Sequence, residues 1–162
     1  MKPTDTITTL FAHNLWANLL LLERCAELTS EQLEASIPGA YGSIYKTLRH
    51  IVLAEQSYFS RISTGQPLQR PENPPHLTIA EMVESARQTG AGLIEWAPKV
   101  QDGDTVQIDW EGATVEVPKA IILTQAINHA TEHRAQIMAI MTELGIQPPD
   151  ADGWSYFDKL KE

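Results

Sequence analysis

Residues 118–144 read PKAIILTQAINHATEHRAQIMAIMTEL. Pro118 suits the first position of a helix, and Gly145 followed by Pro148-Pro149 closes it. At about 100° per residue, an apolar stripe runs through Ile122, Ala126, Ile137, Ile140 and Leu144. His129 and His133 fall within that stripe. Four residues apart, they stand one above the other, separated by about 40° around the axis and ~6 Å along it. An imidazole facing a core needs a partner for each nitrogen, or its burial costs on the order of 1–3 kcal/mol. Two readings stay open for the pair. The histidines are hydrogen-bonded core residues, or they chelate one metal ion, for which an i, i+4 pair on a helix is well spaced.

Working outward, the spacing of Leu10, Ala17, Leu21, Cys25 and Leu28 predicts a first helix within residues 5–28. Thr29 and Gln32 form a capping pair for a short helical turn, and Pro38-Gly39 and Tyr41-Gly42 break the chain. Ser43 opens a second long helix with Ile44, Leu48, Ile51, Glu55, Phe59 and Ile62 on one stripe, ended by Gly65 and Pro67. Pro71 to Pro75 read as a loop. Thr78 with Glu81 makes a capping box for a third helix toward Trp96, stopped by Pro98. Between 105 and 117 the period changes: Val106, Ile108 and Trp110 alternate with polar residues, Glu111-Gly112 turn, and Val115 and Val117 alternate again. Residues 150–162 read as an acidic, aromatic tail. The expected fold is all-α, a four-helix bundle with a short β-hairpin before the last helix, as one domain over residues 1–162.

The composition excludes several functions. In 162 residues, 12 Lys and Arg stand against 21 Asp and Glu, a net charge of −9, so no basic stripe exists to bind a nucleic-acid backbone. Cys25 is the single cysteine, which excludes an internal disulfide and a Cys-rich zinc site and fits a reducing compartment. It lies on the first helix's apolar stripe, as a packing residue rather than a nucleophile. No apolar run is long enough to span a membrane, and Leu15–Leu22 lacks a small-residue cleavage site. A cytoplasmic protein is expected. Gly90-Ala-Gly92 follows a helix and lacks the continuation of a phosphate loop, and there is no G-x-S-x-G elbow.

His50 lies on the flank of the second helix's stripe, in line with Thr47, Ala54 and Tyr58. Facing helices of a bundle build metal sites in their core, so His50, His129 and His133 together offer three nitrogens and leave positions open for water or substrate. Taken alone, His50 reads equally well as a rim histidine. His76 reads as a solvated loop residue. Asn14, next to His13, sits on the first helix's stripe and either steadies a ligand histidine or bonds a backbone carbonyl. The string His129-Ala-Thr-Glu132-His133 matches H-x-x-E-H, in which the Glu serves as general base of a peptidase. That reading is disfavoured: Glu132 points about 60° away from His129, and too little chain follows His133 to carry a distant glutamate ligand. Glu132 is then an acceptor behind a ligand or a surface carboxylate near Arg134.

With these residues placed, the chain resembles the DinB/YfiT-like family of small metal-binding four-helix bundles. Phe11-Ala-His-Asn14-Leu-Trp16-Ala-Asn18 is similar to the family's aromatic-x-x-Asn-x-Trp-Ala-Asn opening, and Leu48-Arg-His50-Ile follows in order. His129-Ala-Thr-Glu-His133-Arg134-Ala-Gln136-Ile137 resembles the H-x-x-x-H-R-G-Q-I string, departing at Ala135 where the family has Gly. Gly145-Ile-Gln-Pro-Pro-Asp150-Ala-Asp152 matches in style. The resemblance implies that His50, His129 and His133 bind one divalent metal, zinc or nickel, with Asn14, Glu132 and Gln136 as candidates to support the ligands. It implies a homodimer, and a transferase of stress response or detoxification that activates a low-molecular-weight thiol for attack on an electrophilic small molecule. Two alternatives are a hydrolase using metal-bound water and a non-catalytic metal- or small-molecule-binding stress protein.

Overall fold

The computed structural model describes residues 5–72 and 76–162. Residues 73–75 of the expected loop at Pro71 to Pro75 lie outside the described residues. Asp5 caps α1 (Thr6–Cys25), its carboxylate accepting the Thr8 N–H. A capping box between Thr29 and Gln32 starts α2 (Ser30–Leu33). Ser43 caps α3 (Ile44–Thr64), and Gly65 ends it at φ 73°, a left-handed conformation that glycine takes without a Cβ penalty. The box between Thr78 and Glu81 starts α4 (Ile79–Trp96), which tightens into a 3₁₀ turn over Ala97–Lys99.

The hairpin follows as β1 (Thr105–Trp110) and β2 (Ala113–Pro118), paired antiparallel with Val106 opposite Val117 and Ile108 opposite Val115. Its connection is Glu111-Gly112, both at positive φ, as a two-residue hairpin turn requires. Then comes α5 (Lys119–Glu143). Its end is a Schellman arrangement, with the Ile146 N–H bonded to the Met141 carbonyl and the Gly145 N–H to that of Thr142.

The four long helices form a closed ring. α1 packs chiefly on α4, α3 packs on both α4 and α5, and α5 closes back onto α1. Gly90 and Gly92, on α4, allow these close approaches: a Cβ at Gly90 would meet Leu15 of α1, and one at Gly92 the Phe59 ring of α3. The apolar interior is two clusters. One gathers Leu21, Cys25, Leu48, Met82 and Ile137, and the other gathers Phe11, Ile62, Leu93, Val106 and Ala126. Along α1 and α3, a buried polar layer of Asn14, Asn18 and Glu55 falls between the two clusters. No helix among the described residues is long and apolar enough to cross a membrane.

The structure corrects several local expectations. Pro118 closes β2 and occupies the cap position of α5 instead of its first turn. Leu144 is 40% exposed, because α5 ends before it and the stripe stops at Met141. Leu10 is 44% exposed while Phe11, Asn14 and Asn18 are buried, so the inward stripe of α1 is carried partly by asparagines. Residues 150–162 are more than a tail. Asp152 caps a further helix, α6 (Gly153–Lys159), whose Tyr156 packs against the rings of His13 and Trp16.

Candidate metal centre

α3 and α5 pack side by side, and this interface brings His50 to His129 and His133. Their candidate ligand atoms all lie within 4.8 Å of one another. His50 Nε2 and His129 Nε2 are 2.9 Å apart, and the ring centroids of His129 and His133 are 4.5 Å apart. His133 is buried, the other two half-buried.

The third ring is held in a defined tautomer. His133 Nδ1 lies 2.9 Å from Gln136 Oε1, which also accepts the Tyr41 backbone N–H at 3.1 Å. An amide oxygen accepts only, so His133 Nδ1 carries a proton, and in the neutral ring Nε2 is the nitrogen that offers a lone pair. Gln136, one turn on from His133, thereby ties the chain before α3 to α5 and orients the ring.

Aromatic rings enclose the cluster. Tyr41 stacks on His50 with centroids 4.1 Å apart and meets His133 edge-on, while Tyr58 meets His129 edge-on at 5.8 Å. In these surroundings burial, then the neighbouring His133 and His50, push His129 down to about 4. Burial also lowers His50, with His133 and Lys46 adding to it. Both rings are therefore neutral near pH 7, the form in which imidazole is a metal ligand.

The donor set fits a divalent ion. Three imidazoles converge, one with its outer nitrogen already hydrogen-bonded as a ligand's would be. His129 Nδ1 is buried without a hydrogen-bond partner among the described residues, so hydrogen bonding to them does not by itself satisfy this ring.

The other predicted residues are placed differently. Among the described residues, the Asn14 side chain hydrogen-bonds to Glu55 and Arg134 rather than to a histidine or a backbone carbonyl. Its Nδ2 donates to Glu55 Oε1 at 2.5 Å, and its Oδ1 accepts from Arg134 Nη1 at 2.7 Å. Asn18 repeats the pattern at 2.9 and 2.6 Å. Two asparagines thus bridge a buried carboxylate to a buried guanidinium. Glu132 is exposed. His13 Nε2 lies 3.0 Å from the Ala151 carbonyl, which holds the segment leading into α6, and His76 stacks on Tyr45. Cys25 is fully buried and its thiol is pushed up to about 12, as expected of a packing residue.

Sequence reasoning missed Tyr41 and the Glu55–Arg134 bridge. For the bridge a signal existed: polar residues at 14, 18 and 55 on otherwise apolar stripes need one another if buried.

The sequence model of the DinB family matches residues 1–160. The chain belongs to the DinB family. Protein DinB of Bacillus subtilis (strain 168) is 25% identical over 167 residues, covering 98% of this chain and 97% of its own. Among solved structures, a DinB-like protein from Bacillus subtilis superposes with a TM-score of 0.61 at 12% identity, over 88% of this chain and 97% of that one. Another, from Bacillus cereus ATCC 10987, gives 0.60 at 20% identity, over 86% and 91%. These two likenesses support the DinB fold, and the three-histidine cluster is where this DinB family member is positioned to hold a metal ion.

Proposed function

We propose that this DinB family protein holds one divalent ion, zinc or nickel, on His50, His129 and His133, and is a transferase joining a low-molecular-weight thiol to an electrophilic small molecule. The observation that carries the proposal is the convergence of three imidazoles across the α3–α5 interface, His133 with its outer nitrogen engaged by Gln136. Three nitrogen ligands leave coordination positions open, the pattern of reactive rather than structural sites. When bound, such an ion supplies Lewis acidity, which lowers the pKa of a coordinating thiol to near neutrality.

The protein's own residues do the rest. Gln136 fixes the His133 tautomer, and Tyr41 and Tyr58 shield the centre from bulk water on two sides. In the reaction the sulfur forms a bond to the electrophilic carbon, the thiol proton passes to solvent, and the displaced group leaves with the electron pair. Trp154 and Phe157 of α6, 79% and 51% exposed, support a homodimer as part of the same reading.

Metal content by elemental analysis, beside His50→Ala, His129→Ala and His133→Ala, tests the centre. About one ion per chain, lost in each variant, is expected. A conjugation screen of the loaded protein with several thiols and 1-chloro-2,4-dinitrobenzene or related electrophiles then tests the chemistry. Product that forms equally well without thiol would mark a hydrolase, and bound metal without turnover would mark a binding protein.

A further inference from the structure

Beside the histidine centre, on the side of Tyr58, lies a cavity of about 450 Å³ between the hairpin, α3 and the start of α5. That volume is within the range of small-molecule sites. Ile108, Trp110 and Val117 of the hairpin and Ile121 of α5 form its apolar wall. Trp110 and Ile121 are 63% and 57% exposed, an unusual cost for a hairpin and a helix start to leave uncovered. Tyr58 lines the cavity and its ring also meets His129 edge-on, so this side chain contacts both the cavity and the centre. Gln125, one turn before His129, lines the same wall.

Among the described residues, a single charged group faces this space: Arg61. Its Nη1 is anchored on the Ser57 carbonyl at 3.3 Å and the Ser57 hydroxyl at 2.5 Å, which orients the guanidinium. No carboxylate pairs with Arg61 among the described residues. A half-buried guanidinium with donors to spare matches a planar carboxylate in two-pronged fashion. One cation in an otherwise uncharged cavity balances one negative charge. A phosphate monoester, close to dianionic at neutral pH, would leave charge uncompensated against Ile108 and Val117.

We propose that this cavity is the subsite for an apolar monocarboxylate, with Arg61 pairing its carboxylate, Trp110 and Ile121 covering its hydrocarbon body, and Tyr58 in contact with both the cavity and the histidine centre. The substrate class is thus an aromatic or branched organic acid. What the ligand is for rests on the transferase reading above, whereas its binding does not.

The test uses 2-naphthoate and its uncharged methyl ester as probes, followed by titration calorimetry and by tryptophan fluorescence, on metal-free and metal-loaded protein. Naphthoate should bind at one site at least ten-fold more tightly than the ester. Arg61→Met should reduce naphthoate to the level of the ester without changing the ester's own affinity. Trp110→Ala should weaken both probes. The His129→Ala protein should still bind naphthoate, so loss of the metal centre leaves the result readable. Equal affinity for acid and ester, or naphthoate binding that survives both Arg61→Met and Trp110→Ala with each variant's melting temperature unchanged, would overturn the subsite. Expected binding in a protein that takes up no metal and forms no conjugate would sink the transferase reading and leave the subsite standing.

Discussion

His133 and Arg134 are consecutive on α5 and are committed to different neighbours. Turned by about 100° from one another, His133 faces the cluster with His50 and His129, and Arg134 reaches α1 to donate to Asn14 and Asn18. Arg134 also bonds Thr131 one turn back, so the guanidinium is braced on both sides. The bridge to Glu55 crosses from α5 through α1 to α3, the helix that carries His50. The buried polar layer therefore ties together the two helices that supply the histidines.

Breaking one end of that bridge should be costly. Arg134→Met leaves Glu55 buried without its cation and should destabilise the protein by about 3–5 kcal/mol. The double variant Arg134→Met with Glu55→Leu should recover much of the loss, since an apolar replacement of both partners removes the stranded charge. Urea unfolding of the three proteins checks this, and a double variant no more stable than Arg134→Met would refute it.

Glu55 makes stability depend on pH. Burial pushes its carboxyl up from 4.5 to about 7, against the opposing effects of Asn14, Arg134 and Asn18. A folded-state value above the unfolded one stabilises fully below the unfolded value, and that contribution is lost as pH rises through the folded value. Between pH 5 and pH 8 the wild type should therefore lose stability relative to Glu55→Gln, with a slope of at most about 1.4 kcal/mol per pH unit. Melting curves at several pH values decide it; parallel profiles would mean that Glu55 is not raised.

Gln136 should matter to metal affinity more than to folding. Gln136→Leu frees the His133 ring and the Tyr41 amide, and should weaken metal binding by roughly 10–100-fold while the melting temperature of the metal-free protein changes little. Competition with a chromophoric chelator measures the first quantity. An unchanged affinity would show that the ring is held by packing alone.

The contact between His13 and Ala151 should govern the docking of α6. His13→Ala should raise amide exchange within residues 153–160 about five-fold, the equivalent of roughly 1 kcal/mol for one hydrogen bond. Metal content should be unaffected, and hydrogen-exchange mass spectrometry reads both halves of the protein at once.

Local signals in the chain were sufficient for the elements. The capping pairs Thr29–Gln32 and Thr78–Glu81, the Glu111-Gly112 turn and the glycine ends at 65 and 145 act within a few residues, so they are visible without any tertiary context. The i, i+4 spacing of His129 and His133 is equally local, and helix geometry alone stacks them on one face. What required the folded protein is which helix faces which. Only the packing of α3 against α5 sets His50 Nε2 2.9 Å from His129 Nε2. Only the ring order of the bundle lets Asn14 and Asn18 satisfy Glu55 and Arg134, residues 41 and 120 positions away from Asn14. α6 was hidden for the same reason. Its seven residues are too few to hold a helix by propensity, and Tyr156 finds its reason to fold on the rings of His13 and Trp16. Periodicity reports which face of a helix turns inward, and the partner it meets there is settled by long-range packing.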